Sequence, residues 1–350
     1  MAGLTVYCCG PLPRLRRLLQ GLPCAVRLAD WRELLRDGPA RRCLFALGTD
    51  ELGPLPETLE LLRRIRSAPD RFSGCVAGVA VDGAAELDTK ALARQLIFHL
   101  SMAGCAFPER PLAEGTGSLH NWTVLQKRLG LPSREAAWAA ALEALCLRVL
   151  DFSPQQYDKP RLLMLHASDH ATSNTLALGE RIAAQLGEDF SVRIMSLRNG
   201  AIEDCRGCSY RVCTHFASRG TCFYGGSIAT EVFPAVQSSD VLLLLLPNYN
   251  DAVGANVMAF INRLSSLHVS GALSGKTLFA VVVSGYSGGD LVAEQAMGAL
   301  CLNKSFLLPP RFCLLETAND PGEVLRLPEI EARVRTFAAQ IRLCAKNRCD

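Results

Sequence analysis

The chain has no surplus of either charge. Its 37 Lys and Arg residues face 34 Asp and Glu residues, a net charge of +3, too small to argue for nucleic-acid or membrane partners. It also has no long apolar run. The longest strongly hydrophobic stretch, Val241 to Leu246, is far short of the ~20 residues that a membrane helix needs and suits a buried parallel strand. No basic stretch followed by an apolar core opens the sequence, so no secretory signal is expected. A soluble, cytoplasmic protein is the expectation, and in a reducing compartment its 15 cysteines are not a disulfide framework. Walker A and HExxH patterns are missing, which leaves no competing enzyme class of those kinds. There is no short-period repeat and no low-complexity tract. What is present is hydrophobicity: 49% of residues are apolar and 20% charged, enough to bury sizeable cores.

A length of 350 residues suggests two domains. The best boundary is Asp151 to Pro160, which is polar, carries two prolines and follows the helical stretch Arg134–Leu150. The expected division is a domain over 1–150, a linker over 151–160 and a second domain over 161–350. In the first half, apolar runs at Leu4–Cys8, Ala25–Leu28, Cys43–Leu47 and Cys75–Val81 alternate with helical patterns at Leu55–Ile65, Thr89–Met102, Trp122–Leu129 and Arg134–Leu150. In the second half, strands are expected at Arg161–His166, Ser191–Leu197, Val241–Leu246, Thr277–Val283 and Phe312–Glu316. Helices are expected at Thr175–Leu186, Ser227–Ser238, Ala255–Leu267, Leu291–Leu302 and Pro328–Cys344. Such alternation reads as α/β, and the second half as a doubly wound, five-stranded parallel sheet of flavodoxin type. The first half is expected to be a degenerate copy of the same pattern. Its first turn, Cys9 to Arg14, has prolines where a phosphate-binding turn needs N–H donors, so no phosphate site is expected there. The turn Glu114 to Trp122 reads as a capped loop.

In an open α/β sheet, ligands bind outside the carboxyl ends of the strands. Three loops of the second half leave that edge. The first, Ala167 to Thr175, is rich in hydroxyls and leads into a helix. Helix N-termini present unpaired N–H groups and a partial positive charge, so this turn could hold a phosphate without Lys or Arg. It has no GxGxxG pattern, which argues against a dinucleotide turn. The same residue types also cap ordinary helices, and His170 within the loop is given no catalytic role. The second loop, Pro247-Asn248-Tyr249-Asn250 and beyond, offers amides for a heteroaromatic edge and Tyr249 to flank a ring. The third, Ser284-Gly285-Tyr286 to Gly289, has glycines that admit close backbone approach.

These residues carry a resemblance. Ser168 and Ser173-Asn174-Thr175, the Pro247-Asn248-Tyr249 motif, the helix motif Phe260-Ile261-Asn262-Arg263 and the Ser/Gly run from Ser284 are similar to those of the NADPH-dependent FMN reductase and iron–sulfur flavoprotein group of the flavodoxin-like superfamily. The likeness covers about 161–321. It implies that Ser168, Ser173, Asn174 and Thr175 hold the FMN phosphate. Pro247, Asn248, Tyr249 and Asn250 would border the isoalloxazine ring, and Ser284, Gly285 and Tyr286 would close its other side. The first loop opens with Ala167 where that group usually has Gly.

The sharpest local feature is Cys205-x2-Cys208-x4-Cys213-x8-Cys222, four of the 15 cysteines within 18 residues. Thiolates at that density favour an iron–sulfur cluster or zinc, and His215 could replace one ligand in a zinc site. A metal-free loop is the remaining reading. The resemblance implies a 4Fe–4S cluster, and its members' third and fourth spacings are tighter than those of Cys213 and Cys222. The function expected is an FMN-dependent oxidoreductase that takes hydride from NAD(P)H and passes electrons to a quinone, a flavin, another small molecule or a protein. Where the four cysteines hold an iron–sulfur cluster, it would serve as the relay of single electrons, and Tyr249 and Asn250 are the groups expected to face substrate. The alternatives are an electron carrier without a small-molecule substrate and a zinc-structured, non-redox binding module. A homo-oligomer is expected.

Overall fold

The computed structural model describes residues 3–168, 172–197 and 202–347. The chain forms two compact units, Met1–Ser153 and Pro154–Asp350.

In the first unit, strands β1 (Leu4–Cys9), β2 (Val26–Asp30), β3 (Arg42–Asp50), β5 (Val76–Asp82) and β6 (Leu112–Gly115) form a parallel sheet in the order β2-β1-β3-β5-β6. A two-residue strand, β4 (Gly53–Pro54), turns back on β3. The helices are α1 (Pro13–Gln20), α2 (Glu33–Asp37), α3 (Pro56–Arg66), α4 (Thr89–Met102), α5 (Thr123–Leu129) and α6 (Arg134–Leu150). Pro13 starts α1 because a missing N–H costs nothing at a helix's first position. Leu15 and Leu19 then face the core. Sequence patterning did not give α1 or β6: eight residues with three arginines mask the apolar face of α1, and β6 is only four residues long.

The second unit holds β7 (Arg161–His166), β8 (Ser191–Ser196), β9 (Val241–Pro247), β10 (Thr277–Ser284) and β11 (Cys313–Thr317), all parallel, in the order β8-β7-β9-β10-β11. Both sheets therefore run 2-1-3-4-5, the flavodoxin order, counting the parallel strands of each unit. The helices are α7 (Asn174–Leu186), α8 (Tyr210–Ala217), α9 (Phe233–Ser238, preceded by a wide turn over Ile228–Val232), α10 (Ala255–Arg263), α11 (Ser265–Val269), α12 (Gly289–Met297, extended by a wide turn over Gly298–Leu302) and α13 (Ile330–Ala345). Helix α8 lies inside the cysteine-rich segment, which the sequence pattern reads as a loop.

Strand β9 is buried along its length because both faces are covered. On one face Leu243 and Leu245 join Leu178 and Ile182 of α7 and Phe337 and Ile341 of α13 in a single core. Gly179 lets α7 press onto β9, since a Cβ there would come within 2.5 Å of Leu245 Cδ1. At the amino edge, Asp240 accepts hydrogen bonds from the backbone N–H of Arg161 (2.8 Å) and from its Nε (3.0 Å) and Nη2 (2.6 Å), joining β7 to β9. The carboxyl edge is thus held from below and left open above. Among the described residues no helix is long and apolar enough to cross a membrane.

Candidate functional site

The order 2-1-3 places a crevice outside the carboxyl ends of β7 and β9, where the winding of the sheet reverses. An open cleft of about 260 Å3 lies there, walled by the first loop, by Pro247, Asn248 and Tyr249 after β9, by Gly285 after β10, and by Ala318, Asn319 and Pro321 after β11.

On the first wall, hydroxyls form a chain. Ser168 Oγ and Ser173 Oγ lie 2.8 Å apart, and Ser173 Oγ and Thr175 Oγ1 lie 3.0 Å apart. Ser173 also caps α7 by accepting the Leu176 N–H at 3.3 Å. Asn174 behaves differently. Its side chain donates to Asp320 O at 3.0 Å and accepts the Val324 N–H at 3.4 Å, so it ties the first loop to the loop after β11. Glu323 stiffens that second loop by accepting the N–H groups of Asn319 (2.6 Å) and Asp320 (2.9 Å). These backbone donors hold the Glu323 carboxyl below the usual range. Asp169, His170 and Ala171 of the first loop lie outside the described residues.

Beneath this wall stands His166, the last residue of β7, only 8% exposed. Its Nδ1 accepts the Ser168 N–H at 3.3 Å. Burial, the largest influence on it, lowers its pKa. The imidazole is held neutral as an acceptor that shapes the turn.

On the second wall, Asn248 donates from Nδ2 to Asp251 Oδ1 (3.2 Å) and to Ser287 O (3.1 Å), locking the loops after β9 and β10 together. Asn250 and Asp251 both take φ of 55°, a region that Asn and Asp tolerate better than most residues. Gly288 (φ +86°) completes the lock, because an added Cβ would sit 1.9 Å from Asp251 Oδ1. With both amide hydrogens used, Asn248 Oδ1 remains buried without a partner, as does Ser284 Oγ at the end of β10. A buried acceptor left open is costly, and in the wall of a cleft it marks where a ligand donor would fit.

The structure therefore brings Ser168, Ser173, Asn174, Thr175, Pro247, Asn248, Tyr249 and Gly285 around one cleft. Ser284 is buried between two cleft-lining residues, Val283 and Gly285, and does not itself line the cleft. Asn250 and Tyr286 are not among the cleft-lining residues, and Tyr286 is 83% exposed. The sequence reading did not include Ala318, Asn319 and Pro321. The turn signal Asn319-Asp320-Pro321-Gly322, directly after the last strand, was present but is common to ordinary turns. The residues fit a flavin mononucleotide by their chemistry: uncharged hydroxyls and a helix N-terminus for a phosphate, and an unpartnered amide acceptor and Tyr249, 65% exposed, for a polar ring.

The cysteine segment is built differently. Asn256 Nδ2 holds Leu197 O (2.9 Å) near the start of α10. At the other end of that helix, Asn262 Nδ2 donates to Asp204 Oδ1 at 2.9 Å. Arg263, 3% exposed, donates from Nη1 to Glu203 O (3.5 Å) and from Nη2 to Gly225 O (2.6 Å). Asn262 and Arg263 thus clip both ends of the cysteine loop, a role the sequence did not reveal. Burial first, then the charges of Cys208, Cys222 and Cys205, push the Cys213 thiol pKa up. Among the described residues no set of three His, Cys, Asp or Glu side chains converges as a preformed metal site. The donor chemistry fits a soft metal centre, and its assembly would require the loop to draw in.

The first unit presents the same rim in closed form. The Asp82 carboxylate, at the end of β5, accepts the backbone N–H groups of Arg14 and Leu15, 2.9 Å each, at the start of α1. The Arg14 guanidinium fills the remaining space, donating to Asp82 Oδ1 (2.8 Å), Thr116 O and Gly117 O (3.0 Å each) and Gly83 O (2.6 Å). It lies 5.3 Å from the Trp138 ring centroid. The anion position of this copy is occupied by the protein's own carboxylate.

Residues 160–320 match a family model described as NADPH-dependent FMN reductase. Among solved structures, an NADH:FMN oxidoreductase in its apo form is 15% identical, with 54% of this chain and 92% of that one covered and a TM-score of 0.40. An NAD(P)H:quinone oxidoreductase from Methanothermobacter marburgensis is 14% identical over 55% of this chain and 100% of its own, with a TM-score of 0.41. An FMN-dependent NADH-azoreductase from Bacillus anthracis, in complex with FMN, is 11% identical over 52% of this chain and 99% of its own, with a TM-score of 0.34. No curated protein matches the chain.

Proposed function

We propose that this protein is an FMN-dependent NAD(P)H oxidoreductase whose second unit holds the flavin in the cleft at the carboxyl edge, a reading supported by the match of residues 160–320 to the NADPH-dependent FMN reductase model. The observation that carries this reading is one of placement. A chain of three hydroxyls at the start of α7 and an unpartnered Asn248 acceptor line the same cleft.

Ser168, Ser173 and Thr175 hydrogen-bond the phosphate, with the α7 N-terminus adding its partial positive charge. The Asn174 side chain, committed to Asp320 and Val324, acts by fixing the turn and contributes its backbone to the cradle. Asn248 Oδ1 accepts from a ring N–H, Pro247 and Tyr249 flank the ring plane, and Gly285 admits the ring on the far side. Ser284 supports that side from below. Asn250 and Tyr286 border the mouth, where donor and acceptor enter. The bound flavin supplies two-electron acceptance from a nicotinamide and one- or two-electron release to an acceptor. A quinone, a flavin or another small molecule is the acceptor class, and Tyr249 and Asn250 face it.

The four thiols of Cys205, Cys208, Cys213 and Cys222 are the candidate ligands of an iron–sulfur centre that exchanges single electrons. The loop is clipped at the carboxyl end of α10, nine residues long, about 13 Å at 1.5 Å per residue. The division of labour follows: a cofactor-bearing unit over 161–350 and a first unit that binds no flavin of its own.

Steady-state oxidation of NADPH and NADH by the flavin-loaded protein, with menadione as acceptor, tests the proposal. Turnover abolished by altering the cleft supports it. A protein that binds FMN yet turns over neither nicotinamide is an electron carrier instead.

A further inference from the structure

Three walls of the cleft have roles in the reading above; the fourth, the loop after β11, has none. It lines the cleft with Ala318, Asn319 and Pro321, and two contacts fix its place. Asp320 O accepts from Asn174 Nδ2 at 3.0 Å, which sets Asp320 against the wall whose hydroxyls serve the phosphate. One residue earlier, Asn319 lies against Gly285 of the ring wall: a Cβ on Gly285 would come within 2.9 Å of Asn319 Oδ1. The pair Asn319-Asp320 therefore bridges the phosphate wall and the ring wall. The part of a flavin mononucleotide that must pass between those walls is its ribityl chain, which is uncharged and carries secondary hydroxyls.

The Asn319 side chain suits such a partner. The residue is exposed, and among the described residues its amide makes no hydrogen bond. Only its backbone N–H is engaged, donating to Glu323 Oε2 at 2.6 Å. The same carboxylate oxygen takes the Asp320 N–H at 2.9 Å, so the backbone that carries the open amide is held at two successive positions. Holding it before a ligand arrives lowers the ordering cost of binding. A neutral amide donates and accepts, as a hydroxyl does, so the two are matched without charge. The missing Cβ of Gly285 is what lets this amide stand so close to the ring wall. The geometry points to Asn319 as the residue that recognises the ribityl hydroxyls, with Glu323 as the positioning residue that fixes its backbone. This inference rests on the FMN reading of the same cleft and adds to it a contact with the sugar chain.

The test measures the affinity of the full-length, flavin-free protein for FMN, for riboflavin, which lacks the phosphate, and for lumiflavin, which lacks both the phosphate and the ribityl chain. Flavin fluorescence reads all three. Asn319→Ala is expected to weaken FMN and riboflavin by about fivefold, as expected of one uncharged hydrogen bond, and to leave lumiflavin unchanged. The unchanged lumiflavin also shows that the ring pocket is still folded. Asn319→Asp, which keeps an acceptor on the same stem, should hold riboflavin more tightly than Asn319→Ala does. Glu323→Ala should repeat the selective loss seen in Asn319→Ala. An FMN affinity in Asn319→Ala equal to that of the native protein would overturn the assignment, as would an equal loss for all three flavins, which would place Asn319 in support of the ring or the fold. Either result leaves the cofactor reading intact. A native protein that binds none of the three flavins would overturn the cofactor reading itself, and this assignment with it.

Discussion

Asp82 holds Arg14 twice: its carboxylate accepts the Arg14 backbone N–H at 2.9 Å and the Arg14 Nε–H at 2.8 Å. The counterpart of Asp82 in the second unit is Ser284, the last residue of the fourth parallel strand there, whose buried hydroxyl has no partner. One topology thus has two outcomes. Where the strand ends in a carboxylate, the helix N-terminus is satisfied internally. Where it ends in serine, the rim stays open for a ligand.

Replacing Asp82 by Asn should therefore damage the first unit alone. Asp82 is 3% exposed, and loss of one partner from a buried, hydrogen-bonded ion pair costs about 3–5 kcal/mol. Chemical denaturation should show the unit Met1–Ser153 unfolding earlier, with FMN content per chain unchanged. A drop in flavin content matching the loss of stability would mean that the first unit takes part in cofactor binding.

Ser173→Ala removes the residue that both caps α7 and links Ser168 to Thr175. The lost cap costs about 1 kcal/mol of stability. The lost phosphate contact should weaken FMN binding by about tenfold or more, as expected of one hydrogen bond to a charged group. Flavin fluorescence quenching measures the affinity. Asn174→Ala should act less directly, loosening the loop after β11 and raising the rate of FMN release.

Gly288→Ala is expected to disrupt the loops after β9 and β10. The residue has φ of +86°, and its Cβ would meet Asp251 Oδ1 at 1.9 Å. The strain, on the order of 1–3 kcal/mol, would break the Asn248–Asp251–Ser287 lock and weaken flavin binding. Asp251→Ala in the same chain should recover part of the loss, because it removes the colliding carboxylate. A double variant no better than the single one would show that the backbone conformation alone is at fault.

His166 gives the cleft a pH dependence. Burial lowers its pKa in the folded state, so the neutral form is the one that folding favours. The stability this contributes is complete above the unfolded value near 6.5 and is lost as the pH falls through the lower, native value. Stability and FMN retention should both decline on acidification below about pH 6. Proton NMR of the His166 ring should show it titrating below the ordinary histidine value near 6.5; a normal or raised pKa would contradict the neutral acceptor role.

The strands of the second unit were legible because each is a continuous apolar run bounded by turn residues, and Val241–Leu246 is the clearest. The first loop was legible because hydroxyls before an apolar helix have a physical meaning at a sheet edge. Other features depend on pairings distant in sequence. Asp82 reaches Arg14 across 68 residues, and nothing local to either announces that they meet. Arg263 lies in a motif that the sequence did suggest, yet its partners Glu203 and Gly225 sit in another loop. Helix α8 was hidden because cysteines at metal-like spacing read as a ligand loop before they read as a helix capped by Ser209.

The most direct test of the account is the stoichiometry and location of bound flavin. Titration of the purified, flavin-free chain with FMN should saturate at one FMN per chain, and Ser168→Ala combined with Ser173→Ala should abolish that binding while the chain stays folded. Two FMN per chain, or tight binding that survives the double substitution, would contradict the claim that the carboxyl-edge cleft of the second unit is the cofactor site.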